Sequence, residues 1–233
     1  MRAAVVYTMG KVGSDAMARA LEKTNIATFH LHTLARRQVI GRVAKFTENG
    51  RLPPAHLTAS LLFLRRKPLD PVFISSVRDP VARNLSAFFQ NRDALEFDET
   101  AEVDEVCARF IDQYPHDLPL DWFDREFGKH AGVDVYSKAF DHKRLFVRGD
   151  DWIVFRADCP DALKSRELTA LVGVKVAVKR GNETGDKAEG ALYRKTRDNL
   201  KLPAELLDRM YDSRFARHFW TDEERAAMRA RWS

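Results

Sequence analysis

Residues Ala3 to Tyr7 form a short, unbroken apolar run with two valines, the pattern of a strand buried on both faces of a parallel sheet. Thr8 to Gly13 holds two glycines and reads as a turn. From Ser14 onward, Ala16, Met17, Ala20 and Leu21 recur at helical spacing, which predicts a helix to about Lys23. The same alternation then repeats. Ile26 to His32 is a second strand, and residues 33–67 show helical spacing broken around Gly50 to Pro54. Pro71 to Val77 is a third strand. Asp79-Pro80 opens the next helix, an N-cap type of residue followed by proline at the first helical position.

The middle of the chain, from Glu99 to Lys138, reads as mostly helical and rich in aromatics. Arg144–Val147 and Trp152–Phe155 are strand-like runs on either side of Gly149-Asp150-Asp151, the pattern of a hairpin. A helix is expected near Asp161–Val172, then a strand over Val174–Val178. The C-terminal region is helical. Leu206, Leu207, Met210, Tyr211 and Phe215 form one apolar stripe, and Thr221 to Arg231 form a further short helix. Strands alternating with helices predict an α/β fold with a mostly parallel central sheet and helices on both faces, as one domain over residues 1–233. In such sheets ligands bind outside the carboxyl ends of the strands, which directs attention to the loops after Tyr7, His32 and Val77.

Composition narrows the function classes. With 233 residues, 45% of them hydrophobic, the chain holds enough for one substantial core. Its net charge of +5 favours anionic ligands without choosing among them. Helix-turn-helix, zinc and ribonucleoprotein signatures are missing, and the cations are mixed with 34 acids, which argues against nucleic acid as the partner. No apolar run approaches the roughly 18 residues of a membrane helix, so no integral membrane contact is expected. The opening apolar stretch is too short for a signal-peptide core, and a cytoplasmic location is expected. Cys107 and Cys159 form no metal-type pair, so neither a disulfide scaffold nor a bound metal is predicted.

Candidate chemistry concentrates in two strand-to-helix turns. In the first, Gly10 and Gly13 let the backbone wrap an anion, Lys11 adds a mobile positive charge, and Ser14 can cap the helix or donate its hydroxyl. Lys11 precedes Gly13, so this is not the G-x-x-x-x-G-K-[ST] order of a nucleoside-triphosphate loop. An ordinary glycine turn with Ser14 as N-cap accounts for the same residues. In the second turn, Arg78 stands just before the helix opened by Asp79, and Ser86 lies almost two turns inside it. An arginine fork and a serine hydroxyl suit a phosphate. Taken singly, a pairing of Arg78 with Asp79 explains as much.

Together, Lys11-Val12-Gly13-Ser14 and the later Arg78-Asp79-Pro80…Arg83…Ser86…Phe88 resemble the sulfotransferases that use 3′-phosphoadenosine-5′-phosphosulfate (PAPS). Segments around Trp122–Phe127, Val133–Ser137 and Leu202–Trp220 look like a bacterial branch associated with capsular polysaccharide synthesis. The resemblance implies a P-loop NTPase-like, three-layer α/β/α fold. It also implies a sulfuryl transfer from PAPS to a hydroxyl of a glycan or small molecule, without a metal. By the same resemblance, Lys11, Val12, Gly13 and Ser14 cradle the 5′-phosphosulfate, and Arg78 and Ser86 grip the 3′-phosphate. Arg180 and Gly181 match a basic loop that closes over that phosphate. The alternative is an inactive member of the fold that binds nucleotide or serves assembly in polysaccharide synthesis.

Asp15 departs from the family pattern, which has a hydroxyl residue there. Its charge opposes an anion, and an i,i+4 pair with Arg19 is the expected compensation. Lys11 is the expected stabiliser of the leaving group. A base must take the acceptor proton. His32, at the carboxyl end of the second strand, is the candidate, followed by His30 on the same side, then by His56 and Glu48. Trp122, Asp134 and Tyr136 could line a sugar site, although aromatics in a helical stretch more often belong to the core.

Overall fold

The computed structural model describes residues 2–66, 68, 70–91, 100–179 and 189–233. These fall into two compact units, residues 1–77 with 122–180, and residues 78–121 with 181–233.

The first unit is built on β1 (Arg2–Tyr7), β2 (Ala27–Leu31), β3 (Asp70–Val77), β4 (Phe146–Arg148) and β5 (Trp152–Arg156). Their order is β2-β1-β3-β5-β4, parallel throughout except for the edge pair of β4 and β5. The fold is therefore α/β with a five-stranded, mostly parallel sheet flanked by helices. The apolar run Ala3–Tyr7 lies at the centre of the register and is buried throughout, which is why it carries no polar alternation. β4 and β5 form the expected antiparallel pair around Gly149.

Alternate side chains of the strands go to opposite faces. On one face Ala4, Val6, Val72, Ile74, Ile153 and Phe155 form a core with α1 (Asp15–Glu22) and α7 (Asp161–Val172). On the other, Tyr7 meets Trp122 and Phe127 at ring distances of 5.1 and 5.8 Å, and Phe73 meets Phe127 at 6.0 Å. Phe63 of α3 (Ala55–Arg66) packs edge-on to Phe29 and Phe73 on this second face. α2 (Arg36–Glu48) precedes α3. Trp122 ends α6 (Leu118–Trp122), and the following π-helical stretch, Phe123–Ala131, carries Phe127.

Residues 174–178, expected as a strand, pair with no strand among the described residues. The alternation itself is present, with Val176 and Val178 buried and their neighbours exposed. Their amides are bonded by helix hydroxyls instead: Val176 N donates to Thr169 Oγ1 (3.0 Å) and Val178 N to Ser165 Oγ (2.9 Å). The period-2 pattern reports an extended chain on an apolar surface, not the identity of its hydrogen-bond partners.

The second unit is helical in its described residues: α4 (Pro80–Gln90), α5 (Val103–Gln113), α8 (Glu189–Asn199), α9 (Ala204–Tyr211), α10 (Arg214–Phe219) and α11 (Asp222–Trp232). Leu85, Phe88, Phe110, Leu206, Met210 and Trp232 form its core.

Candidate functional site

The turn from β1 into α1 is held in an uncommon backbone shape. Gly10, Lys11 and Gly13 all have positive φ, at 79°, 60° and 74°. Glycine adopts this region freely, whereas a side chain there costs on the order of 1–2 kcal/mol. A Cβ on Gly13 would meet nothing within 4 Å, so its glycine is required by the backbone angle and not by crowding. The turn is anchored beneath by Ser76 Oγ of β3, which donates to the carbonyl of the fully buried Val12 at 2.9 Å. Ser14 is the N-cap residue of α1, yet its side chain caps nothing. Among the described residues no side chain accepts from the first amides of α1, the arrangement that suits an anion.

The hydroxyl of Ser14 is turned toward β2. It lies 3.0 Å from His30 Nε2 and 3.3 Å from Thr8 Oγ1. On its other side, His30 Nδ1 faces the Asp15 carboxylate at 3.8 Å. Asp15 thus faces His30, and the expected pairing with Arg19 is not formed. His30 has its pKa lowered by burial, against a smaller raising effect of Asp15. His32 Nδ1 lies 2.9 Å from the Thr8 carbonyl oxygen. A carbonyl only accepts, so Nδ1 carries the proton and the lone pair sits on Nε2. The His32 ring lies about 3.8 Å from where a Gly10 Cβ would stand. His56 of α3 completes a row, its ring 4.9 Å from His32, while His30 is 5.2 Å from His32 on the other side. Burial, reinforced by His32 and Arg42, lowers His56 to about 4. Among the described residues no group of His, Cys, Asp or Glu is disposed to hold a metal ion.

Sequence reasoning missed a second network at the same strand ends. Glu126, from the π-helical stretch, accepts from the Tyr7 hydroxyl, from Thr33 Oγ1 (3.1 Å) and from the Leu34 amide (3.2 Å). Burial, and then the bond to Glu126, push the Tyr7 phenol far above its usual range. The carboxylate ties the ends of β1 and β2 to the helix beneath. Nothing in the spacing of residues 122–127 announces this, because the partners lie 92 to 119 positions away.

No family model matches this chain, and no curated protein or solved structure matches it. Function therefore has to be argued from the residues themselves.

Lys11, Val12, Gly13, Ser14 and His32 are brought together at the β1–α1 turn. Arg78 and Ser86 belong to the second unit. There Arg78 is half-buried ahead of α4, and Ser86 is half-buried with Ala82 and Phe89 on its less covered stripe. Asp79 does not simply serve Arg78. Its carboxylate caps α4 through Val81 N (2.9 Å) and Ala82 N (3.4 Å), and accepts from Tyr211 Oη (2.9 Å) and Trp232 Nε1 (3.1 Å). Arg180 and Gly181 lie outside the described residues. Trp122 is 4% exposed and packed against Tyr7 and Phe123, a core residue and not a sugar platform. Asp134 caps the short turn Val135–Ser137 by accepting from Tyr136 N. Among the described residues no helix is long and apolar enough to cross a membrane.

Proposed function

We propose that this chain is a PAPS-dependent sulfotransferase that moves a sulfuryl group to a hydroxyl of a glycan or small molecule. The observation that carries this reading is the β1–α1 turn. It spends backbone strain to hold a lysine, at φ 60°, beside helix amides that the N-cap Ser14 side chain leaves uncapped. Backbone strain of this kind clusters at ligand-binding sites, which supports the reading. The resemblance of the two motifs selects a phosphosulfate among possible anions, and the P-loop NTPase-like class of the fold follows from the same resemblance.

In this mechanism the acceptor oxygen attacks sulfur in line with the bridging oxygen of the donor. The new O–S bond forms as the S–O bond to the 5′-phosphate breaks, and 3′-phosphoadenosine-5′-phosphate leaves. Lys11 neutralises charge growing on the bridging oxygen. His32 Nε2, the basic nitrogen of its tautomer, takes the acceptor proton. Val12, Gly13 and Ser14 hold the phosphosulfate, while Arg78 and Ser86 read the 3′-phosphate. One observation favours the alternative of an inactive, nucleotide-binding relative. Asp15 places a 76% exposed carboxylate side chain in the first turn of α1, where an anion would approach.

Calorimetry with 3′-phosphoadenosine-5′-phosphate against ADP tests the reading. The 3′-phosphorylated nucleotide should bind more tightly, and Arg78→Ala should remove about 2–4 kcal/mol of that preference. Equal affinities would sink the assignment. Tight binding without transfer to any hydroxyl acceptor, and without donor hydrolysis, would move the inactive relative ahead.

A further inference from the structure

The pair α2–α3 concentrates charge in a way the rest of the chain does not. Between Arg36 and Arg66 there are seven arginine and lysine side chains and one acid, Glu48, a net of +6 where the whole chain has +5. All seven are exposed, and none forms an ion pair with an acid among the described residues. Elsewhere exposed arginines do form such pairs, as Arg2 with Asp70 and Arg209 with Asp117.

Apolar exposure is concentrated in the same place. Four large apolar side chains are exposed among the described residues, and Ile40, Leu52 and Leu62 belong to this pair and its connection. Each has a cation beside it. Ile40 lies one turn beyond Arg36 and Arg37, Leu52 follows Arg51, and Leu62 lies one turn before Arg65 and Arg66. Leu52 is 92% exposed at the connection between the helices. Meanwhile the pair is fixed from its inner side by Phe63, wedged between Phe29 and Phe73, and by the buried Leu57 and Val39. The outer apolar positions are therefore not needed to hold the helices in place.

We propose that α2–α3 is a docking surface for an anionic lipid bilayer, lying on the membrane without crossing it. A hydrated polyanion such as DNA or an acidic glycan would be served by the arginines alone and would gain nothing from Ile40, Leu52 and Leu62. A second copy of the chain would bring two unpaired clusters of like charge together. A bilayer with anionic headgroups uses both parts, with apolar tips entering the headgroup region while long arginine stems stay with the phosphates. Each cation near such a surface strengthens attraction by about fivefold at moderate salt. This inference is independent of the nucleotide reading.

The test is flotation of the full chain with vesicles of phosphatidylcholine alone and of phosphatidylcholine mixed with phosphatidylglycerol. Binding is expected only to the second kind, and it should weaken as salt is raised. Ile40→Ser with Leu62→Ser, and separately Arg36→Gln with Arg37→Gln, should each reduce it by about tenfold or more. Leu52→Ser alone should reduce it severalfold, and its nearly complete exposure keeps that variant informative if the double apolar variant fails to fold. Equal binding to both vesicles, or to neither, overturns the proposal. So does a chain that binds a soluble sulfated polysaccharide or duplex DNA as tightly as the anionic vesicles, with no response to the apolar substitutions. Self-association abolished by those substitutions would identify a second copy as the occupant instead.

Discussion

Two turns leave parallel strands and enter helices, and they satisfy the start of the helix in opposite ways. After β3, Asp79 supplies a carboxylate that accepts from two amides of α4 and from the side chains of Tyr211 and Trp232. The negative charge favoured at a helix N-terminus is built in. After β1, Ser14 occupies the same position and its side chain caps nothing, because its hydroxyl lies against His30 and Thr8. Here the N-cap side chain supplies no acceptor, and the one first-turn acid, Asp15, is exposed and faces His30. The capped helix start is a structural joint. The uncapped one, with Lys11 held at φ 60° beside it, is the turn proposed to bind an anion.

The contrast breaks most visibly at Asp79. Asp79→Ala removes a cap worth about 1 kcal/mol and leaves two largely buried donors without an acceptor, at about 1–3 kcal/mol each. Urea unfolding should therefore show a loss of roughly 3 kcal/mol or more, and Asp79→Asn, which keeps an acceptor oxygen, should lose clearly less. A loss below about 1 kcal/mol for the alanine variant would mean that the carboxylate is not the joint described.

Lys11→Gly sharpens the other half. It should stabilise the fold by up to about 1 kcal/mol, since glycine relieves the left-handed backbone, while affinity for 3′-phosphoadenosine-5′-phosphate falls about tenfold or more. Thermal melts and calorimetry read the two effects separately. Falling stability together with unchanged affinity would return this turn to an ordinary chain reversal.

The smallest effect concerns Ser14. While His30 is neutral, its Nδ1–H faces Asp15 and its Nε2 accepts the Ser14 hydroxyl proton. Once protonated, His30 donates from Nε2, and the hydroxyl proton can turn to a bound anion. Binding then takes up a proton, so affinity rises as pH falls through the His30 pKa, which burial sets below the ordinary 6.5. Sulfate is the suitable probe because its own charge does not change in this range. From neutral to mildly acidic pH its binding should tighten by up to about tenfold, and His30→Gln should flatten the profile. A rise in affinity that persists in His30→Gln would assign the effect to other groups.

What the chain disclosed in its sequence was local. The run Ala3–Tyr7, the glycines after it and the Asp79-Pro80 start each settle their own conformation within a few residues. What stayed hidden depends on distant partners. Asp15 was expected to reach Arg19 one turn on, and it faces His30 instead, which the parallel register of β1 and β2 carries beside the turn. Glu126 draws its role from Tyr7 and Thr33, and His56 its place from the packing of α3 on β2. Residues 174–178 carried a strand's pattern with helix hydroxyls as partners.

The cap on α4 also has a schedule. Trp232 Nε1 reaches Asp79 across 153 positions of sequence, and the Trp232 carbonyl accepts from Leu202 N. On a ribosome adding about 5–20 residues per second, Asp79 emerges on the order of ten seconds or more before its indole partner exists. During that interval α4 can have its amide cap but not its anchor. The apolar side of the helix, with Val81, Leu85 and Phe88, waits for the same late segment to cover it. Nascent chains halted before Trp232 should therefore be the protease-sensitive and aggregation-prone ones, and a chaperone would find its target in the first half of the molecule while the second half is still being made.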